Sequence, residues 1–241
     1  MMRSHRDFLM CSLAVAASLL LLQFGLITAA GGERADAAPE TDETVFFAFD
    51  DHAIPWRDNL KVTLVQAEKH PENPVLRCGP PGSPDHGHAI LYGSVMRIEG
   101  KFRMWYLGMF QRQLQRGQAP GWWRPMCYAE SEDGVRWTKP ELGLFEVHGT
   151  RANNVVLAND PPYSHNFSPF LDARPGVPES ERYKALAGHD RWGGLVAFAS
   201  ADGLRWRKLA NEPVLRHPRT KAFDSQNVSF WSPTENCYVC Y

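Results

Sequence analysis

A nine-residue segment occurs twice in this chain, as residues 131–139 (Ser-Glu-Asp-Gly-Val-Arg-Trp-Thr-Lys) and 69 residues later as 200–208 (Ser-Ala-Asp-Gly-Leu-Arg-Trp-Arg-Lys). Six of the nine positions are identical. The Asp-Gly pair in each copy is typical of a β-hairpin, because glycine accepts the positive φ of such turns and aspartate bonds to the nearby backbone. Repetition at this distance predicts a structural module of about 60 to 80 residues.

Other segments recur in the same order around the two copies. Each module contains an opening strand, an aromatic strand, a third strand before the Asp-Gly turn and a Trp-bearing strand after it. The opening strands are predicted at 90–98, 167–171 and 228–231, the aromatic strands at 100–106, 182–186 and 236–241, and the third strands at 126–131 and 195–200. A segment that ends in Val-Leu recurs at 73–76, 154–157 and 212–215. Few stretches have the apolar spacing of a helix, so we predict an all-β fold of four-stranded antiparallel meanders.

Repeated meanders of this kind are typical of β-propellers, in which each blade buries its faces against its neighbours. The chain holds two full modules and the first half of a third, whereas a closed ring needs at least about four blades. We therefore expect a partial propeller of about two and a half blades, cut from a longer protein. A sandwich of two or three packed modules is the alternative.

The first 37 residues have the organisation of a signal peptide. Arg3, His5 and Arg6 give a positive start, residues 8–30 carry no formal charge, and 35–37 (Ala-Asp-Ala) offer a cleavage site. The apolar stretch is also long enough to remain in the bilayer as an N-terminal anchor. In either case we expect the protein to be exported and to work in the periplasm, at the cell surface or outside the cell.

The charge balance argues against nucleic acid as a partner, because 27 acidic and 26 basic residues give a net charge of −1. Four cysteines follow the export segment. Cys237 and Cys240 have C-x-x-C spacing, but no second pair accompanies them, and residues three apart in a strand point to opposite faces. We expect a structural role for these two cysteines, and neither a metal nor a cofactor for the protein.

Three sequence features resemble the five-bladed β-propeller glycoside hydrolases of the broad group that includes families 32, 43 and 68. They are the aromatic strand 100–106, the Ser-x-Asp-Gly-x-x-Trp turns at 131 and 200, and the blade-opening segment 223–231. The resemblance implies an incomplete five-bladed propeller domain over 44–241. It also implies hydrolysis of glycosidic bonds in extracellular oligo- or polysaccharides. A non-catalytic propeller that binds a carbohydrate or a protein, and a scaffold without a ligand, are the alternatives.

Glycosidases need two carboxyl groups that flank the bond to be broken. In the resembled families these groups stand at the propeller axis, near the starts of successive blades. Asp85, before the first blade, and Asp224, before the third, are therefore the candidate catalytic residues. This sequence departs from the family pattern in two ways: the position of the family's nucleophile falls on Leu91, and the Arg and Pro of the family's Arg-Asp-Pro segment are absent around Asp224. The resemblance also places the general acid beyond Tyr241, so this chain is expected to be inactive alone. We expect Asp85, His165 and Asp224 to face one cavity.

Polar side chains beside the two acids are the candidate substrate-binding residues. They are His86, His88, His165, Asn166, Gln226 and Asn227. His86 and His88 lie two apart, which puts both on one face of a strand, so a metal site completed by His165 is an alternative use of them. Asp172 lies beside a Pro-rich turn, and we interpret it as a turn residue.

Overall fold

The computed structural model describes residues 56, 58–59, 61, 63, 65–112, 121–158, 164, 166–189, 193–218 and 222–241. The chain divides into two compact units, Met1–Gln66 and Ala67–Tyr241. The first unit is described at isolated positions, and the predicted export segment at 1–37 lies outside the described residues. Within the described part of the chain, no helix combines the length and the apolar character needed to span a membrane.

The unit Ala67–Tyr241 is all-β, as the sequence predicts. Its described strands are β1 (His88–Ile98), β2 (Lys101–Arg112), β3 (Gly121–Trp123), β4 (Met126–Ser131), β5 (Val155–Leu157), β6 (Ser168–Leu171), β7 (Tyr183–His189), β8 (Gly194–Ser200), β9 (Arg207–Lys208), β10 (Ser229–Ser232) and β11 (Cys237–Cys240). The helical content of the described residues is one 3-10 turn, Glu179–Glu181. All of these strands pair in the antiparallel sense.

The strands form three sheets that follow one another along the chain. The first sheet has the order β1-β2-β4-β5, with β3 paired to β2, and the second has the order β6-β7-β8-β9. The third consists of β10 and β11. The opening strand of the second sheet, β6, contacts both β1 and β10. Successive sheets therefore bring their first strands next to each other.

The strand positions follow the sequence prediction except at the outer edge of the first sheet. The predicted Trp-bearing strand forms in the second sheet as β9. In the first sheet the corresponding segment makes a single bridge, between Glu130 and Thr138, and β5 pairs with β4 instead. Pro140 follows this bridge closely and has no N–H with which to continue a ladder. Of the Val-Leu segments, 154–157 supplies β5, whereas 73–76 forms no strand.

Strand β2 separates two hydrophobic cores. Trp105 and Leu107 face a core that also contains Phe167 of the second sheet, so this core joins the two sheets. Tyr106 and Phe110 face the opposite core, which lies on the other side of the first sheet. This alternation is the period of two that a strand imposes on its side chains.

The two Ser-x-Asp-Gly-x-x-Trp turns fold in the same way. In the first copy, Asp133 Oδ1 accepts hydrogen bonds from the backbone N–H groups of Val135 (2.8 Å) and Arg136 (2.7 Å), and Asp133 Oδ2 accepts one from Arg136 Nη1 (2.9 Å). The second copy repeats each bond with Asp202 as the acceptor. The repeat is therefore a fold element, in which aspartate closes the turn.

Both turn aspartates are held in their ionised form. Backbone N–H groups, that of Arg136 foremost, lower the pKa of Asp133 well below its usual value. At Asp202, burial acts to raise the pKa, but the backbone N–H groups led by that of Arg205 outweigh it, and the pKa is lowered. The carboxylates are therefore more acidic in the folded chain than in the unfolded one.

The second turn also joins the first two sheets. The buried indole of Trp105 donates a hydrogen bond from Nε1 to the backbone oxygen of Gly203 at 2.7 Å, and Trp206 Nε1 donates to the same oxygen at 3.0 Å. Gly203 has a φ of +76°, and a Cβ at this position would lie 2.8 Å from Trp105 Cζ2. Both the backbone conformation and the packing therefore require glycine at 203.

Replacing each turn glycine by alanine separates these two requirements. Gly134 has nearly the same φ, +75°, but its added Cβ would meet Phe102 at an ordinary 3.6 Å. We expect Gly134→Ala to lower the free energy of unfolding by about 1 kcal/mol through the backbone term. Gly203→Ala should cost about 3 kcal/mol, because the clash with Trp105 is added. Urea unfolding measures both, and equal losses would contradict the proposed role of the Trp105 contact.

The turn carboxylates make the stability of the fold sensitive to acid. Because the pKa of Asp133 and of Asp202 is lowered by folding, their contribution is complete above about pH 4 and is lost as the pH falls through the folded pKa values. We expect the Asp133→Asn/Asp202→Asn double variant to lose less unfolding free energy than the parent between about pH 4 and pH 2. Urea unfolding at each pH is the measurement, and parallel curves would refute the assignment.

Candidate functional site

Polar groups from the three sheets meet around residues 223–227, the loop that precedes β10. Gln226 Nε2 donates a hydrogen bond to the backbone oxygen of Gly93 in β1 at 2.5 Å. Asn166, two residues before β6, donates from Nδ2 to the backbone oxygen of Phe223 at 2.5 Å. The loop is therefore tied to the opening strands of the first and second sheets.

A carboxylate and an imidazole face each other beside this loop. His189, the last residue of β7, places Nε2 at 3.7 Å from Asp224 Oδ1. Tyr92 of β1 also lies close, since it interacts with Ser225 and with the charge of Asp224. We define the polar cluster as Tyr92, Asn166, His189, Asp224 and Gln226.

The loop has a backbone conformation that side-chain-bearing residues seldom adopt. Phe223 has a φ of +59° and Ser225 a φ of +86°. Such conformations are unfavourable for residues with a Cβ, and they persist where surrounding contacts impose them. Here the contacts are amide hydrogen bonds, including one of 3.1 Å from Asn227 Nδ2 to the backbone oxygen of Ser225. Held in this way, the loop directs Asp224 outward.

Asp224 is the accessible acid of the polar cluster, with 72% of its side chain exposed, whereas the side chain of His189 is 10% exposed. Burial raises the pKa of Tyr92, the hydrogen bond with Ser225 opposes that rise, and the negative charge of Asp224 adds to it, so the pKa is raised. The Tyr92 phenol therefore keeps its proton at neutral pH and can donate a hydrogen bond. The cluster combines an accessible carboxylate with a phenol and an imidazole.

Three of the predicted substrate-binding residues use their amide groups to hydrogen-bond the backbone of the protein itself. Asn166 Nδ2 donates to the backbone oxygen of Gly188 at 3.1 Å in addition to its bond to the loop, and Asn166 is fully buried. Gln226 and Asn227 hold the loop as described above. In this structure these amides position backbone, and their contact with a substrate stays a prediction. His165 lies outside the described residues.

Asp85, the other predicted catalytic acid, is fully buried in an ion pair. Its Oδ2 accepts hydrogen bonds from Lys139 Nζ (2.5 Å) and the Tyr106 hydroxyl (2.8 Å), and its Oδ1 accepts one from the backbone N–H of Gly79 (3.2 Å). Protein donors therefore occupy both carboxylate oxygens. Its predicted catalytic role stays a prediction.

The ion pair continues into a buried polar network. Asn154 Nδ2 donates to the Tyr106 hydroxyl at 2.9 Å and to the backbone oxygen of Tyr128 at 2.7 Å. Burial raises the pKa of Tyr106 and that of Cys127, so both stay protonated. A cavity of about 430 Å³ borders the network, with Asp85, Lys139, Glu141 and His148 in its lining.

The two predicted histidines pack against aromatic rings of the first sheet, His86 in a stacked and His88 in a tilted arrangement. The ring centroid of His86 lies 5.2 Å from that of Phe110, and the ring centroid of His88 lies 5.1 Å from that of Trp122. Within the described ranges, no three His, Cys, Asp or Glu side chains are grouped as they would be around a metal ion. The predicted contact of His86 and His88 with a sugar is untested.

Asp172 is a buried carboxylate that has the interpreted turn role and also contacts other strands. Its Oδ2 accepts hydrogen bonds from Lys184 Nζ (2.5 Å) in β7 and from the Tyr238 hydroxyl (2.7 Å) in β11. The backbone N–H of Arg174 donates to Oδ1 at 3.0 Å. Burial acts to raise the pKa of Asp172, but the hydrogen bonds from Lys184 and Tyr238 outweigh this effect, so the pKa is lowered. This carboxylate therefore ties the third sheet to the second.

The structure brings Asn166, Gln226, Asn227 and Asp224 together, whereas the contacts of Asp85 described above involve none of them. Sequence reasoning missed His189 and Tyr92. A weak pattern could have pointed to this place, because Asn166-x-Ser168 and Asn227-x-Ser229 both lead into an opening strand. For His189 we find no sequence signal, since it stands at the end of β7, far along the chain from the blade-opening segments.

No protein-family model matches the sequence, and no curated protein matches it. The chain is similar to a solved crystal structure described as "a putative glycoside hydrolase from Parabacteroides distasonis ATCC 8503". The two chains are 16% identical, with a TM-score of 0.39, and the match covers 68% of this chain and 46% of the other. The chain thus spans less than half of that protein. A likeness this distant says nothing about function, which has to be inferred from the residues themselves.

Removing Lys139 tests whether Asp85 is part of the folded framework. Lys139→Met leaves the Asp85 carboxylate buried with its charge uncompensated, so we expect a loss of about 3 kcal/mol in the free energy of unfolding. The Asp85→Asn/Lys139→Met double variant should lose less than the sum of the two single variants, because it removes both charges. Urea unfolding of all four proteins measures this, and a Lys139→Met variant as stable as the parent would contradict the ion-pair role.

Proposed function

We propose that this protein is a glycoside hydrolase of the β-propeller type, exported from the cytoplasm, that acts on carbohydrate at the polar cluster. In this proposal the three sheets are successive blades, and their neighbouring first strands β1, β6 and β10 lie around the propeller axis. The order of contacts among these strands supports that arrangement. The resemblance of the aromatic strand and the two turns to the propeller hydrolases supports it as well.

The observation that carries the proposal is the convergence of three sheets on one accessible carboxylate. Tyr92 comes from the first sheet, His189 from the second, and Asp224 from the loop that opens the third. Residues from separate modules that meet around an exposed acid are the arrangement expected of a site rather than of a turn. The phenol and the imidazole beside Asp224 are suited to sugar hydroxyls, which both donate and accept hydrogen bonds.

In this proposal Asp224 supplies one of the two carboxyl groups of glycoside hydrolysis. An exposed carboxylate can attack the anomeric carbon, activate a water molecule or stabilise positive charge that develops on the sugar ring. The raised pKa of Tyr92 keeps a proton donor next to it. Asp85 is less suited to be the partner acid, because both of its oxygens already accept hydrogen bonds from the protein.

Because both oxygens of Asp85 are occupied in this way, a second candidate function is the binding of carbohydrate without hydrolysis. Within the polar cluster as described, Asp224 is the single carboxylate, and a hydrolase of the usual kind needs two. A binding protein would use Asp224 and Tyr92 to hold hydroxyl groups, and it would need no general acid.

An assay of the protein expressed from its complete reading frame tests the proposal on a panel of oligosaccharides and aryl glycosides, with binding measured by calorimetry on the same panel. We expect Asp224→Asn to lower turnover at least about 100-fold, because the amide keeps the shape of the side chain and loses its charge. Asp133→Asn is the matched control, since this acid closes a turn and lies outside the polar cluster.

Turnover that is lost in Asp224→Asn and kept in Asp133→Asn supports the hydrolase. Binding without turnover, weakened by Asp224→Asn alone, supports the second candidate. Absence of both binding and turnover across the panel would show that the polar cluster is not a carbohydrate site.

A further inference from the structure

We propose that Asn166 is the positioning residue that sets His189 and Asp224 opposite each other. Its side-chain amide donates two hydrogen bonds, one to the backbone oxygen of Gly188 at 3.1 Å and one to that of Phe223 at 2.5 Å. Each acceptor immediately precedes one member of the facing pair. A single buried NH₂ group therefore joins the backbone that carries the imidazole to the backbone that carries the carboxylate. This inference rests on the proposed function for its catalytic meaning.

The bond from Asn166 holds a loop whose backbone is unfavourable at two positions. The left-handed conformations of Phe223 and Ser225 are unfavourable for residues with a Cβ. Asp224 lies between these two residues, so relaxation of either would redirect its side chain. The bond from Asn166 acts on the backbone oxygen of Phe223 at 2.5 Å, whereas Asn227 reaches the same oxygen at 3.5 Å.

The chemistry of the position selects asparagine. Asn166 has a φ of +60°, and asparagine adopts this region more readily than most residues. Two carbonyl oxygens converge on its side chain, so the position calls for a group with two N–H donors. An aspartate would fill the same volume and tolerate the same backbone, but it would turn an acceptor toward both carbonyls.

Asn227 provides a matched comparison within the same loop. Its Nδ2 donates to the backbone oxygens of Ser225 (3.1 Å) and Phe223 (3.5 Å), which both belong to the loop. Asn227 therefore stabilises the loop without a described bond to the strand that carries His189. If positioning depends on the link between the two backbones, changes at 166 and at 227 must differ in their effect.

Crystal structures of Asn166→Gly and Asn227→Gly make the first test. Glycine accepts a positive φ, so Asn166→Gly removes the donor without adding backbone strain or charge. We expect the distance between His189 Nε2 and Asp224 Oδ1 to increase by more than about 1 Å in Asn166→Gly, a displacement large enough to impair chemistry. It should change less in Asn227→Gly. An unchanged distance in Asn166→Gly would overturn the proposal, whether or not the protein acts on carbohydrate.

The pH profile of turnover makes the second test, because a purely structural role would lower the rate equally at every pH. We expect Asn166→Gly to lower kcat about 100-fold and to change the shape of the profile, while Asn227→Gly keeps the shape of the parent. A uniform fall in both variants would overturn the positioning role.

Asn166→Asp covers the case in which the glycine variant is too unstable to purify. It should reproduce the loss and the altered profile, and a variant with parental kcat and profile would also overturn the proposal. If the parent protein neither binds nor hydrolyses any carbohydrate, the proposed function fails while the crystallographic comparison still decides the role of Asn166.

Discussion

The fold depends on the contact between the indole of Trp105 and the backbone oxygen of Gly203. It places the turn of the second sheet against the middle of β2 in the first, inside the core that the two sheets share. A repeated sheet module cannot bury its hydrophobic face alone, so stacking on the next sheet stabilises it. The turn motif therefore closes its own hairpin and also docks its sheet against the preceding one.

The polar cluster is a consequence of that docking. Its members lie on different sheets, and no short stretch of chain could bring Tyr92, His189 and Asp224 together. In the docked arrangement β6 contacts both β1 and β10. The amides of Asn166 and Gln226 then fix the 223–227 loop against the first strands of the second and first sheets. Packing in the hydrophobic core determines which sheets lie next to each other, and directional hydrogen bonds determine the orientation of the accessible carboxylate.

The sequence was sufficient for the parts of the fold that repeat. The Asp-Gly turns and the aromatic strands carry local rules, namely positive φ at glycine and a period of two, and both formed where predicted. The prediction for the edge of the first sheet was wrong, because Pro140 and β5, a segment distant along the chain, together determine which segment pairs with β4. The site was predictable in part: Asp224 and Asn166 stand before opening strands, whereas His189 comes from the far end of β7 and is brought near by tertiary packing.

The roles of the acids could not be read from sequence, because partners distant along the chain decide them. Asp85 and Asp172 each accept hydrogen bonds from a lysine, a tyrosine hydroxyl and a backbone N–H, which occupy most of the acceptor sites of the carboxylate and compensate its charge. Asp224 faces an imidazole at 3.7 Å, lies near Tyr92, and keeps 72% of its side chain exposed. A carboxylate acts on a ligand only through oxygens that the protein leaves accessible. Among these three aspartates, that condition singles out Asp224 as the candidate for the proposed chemistry.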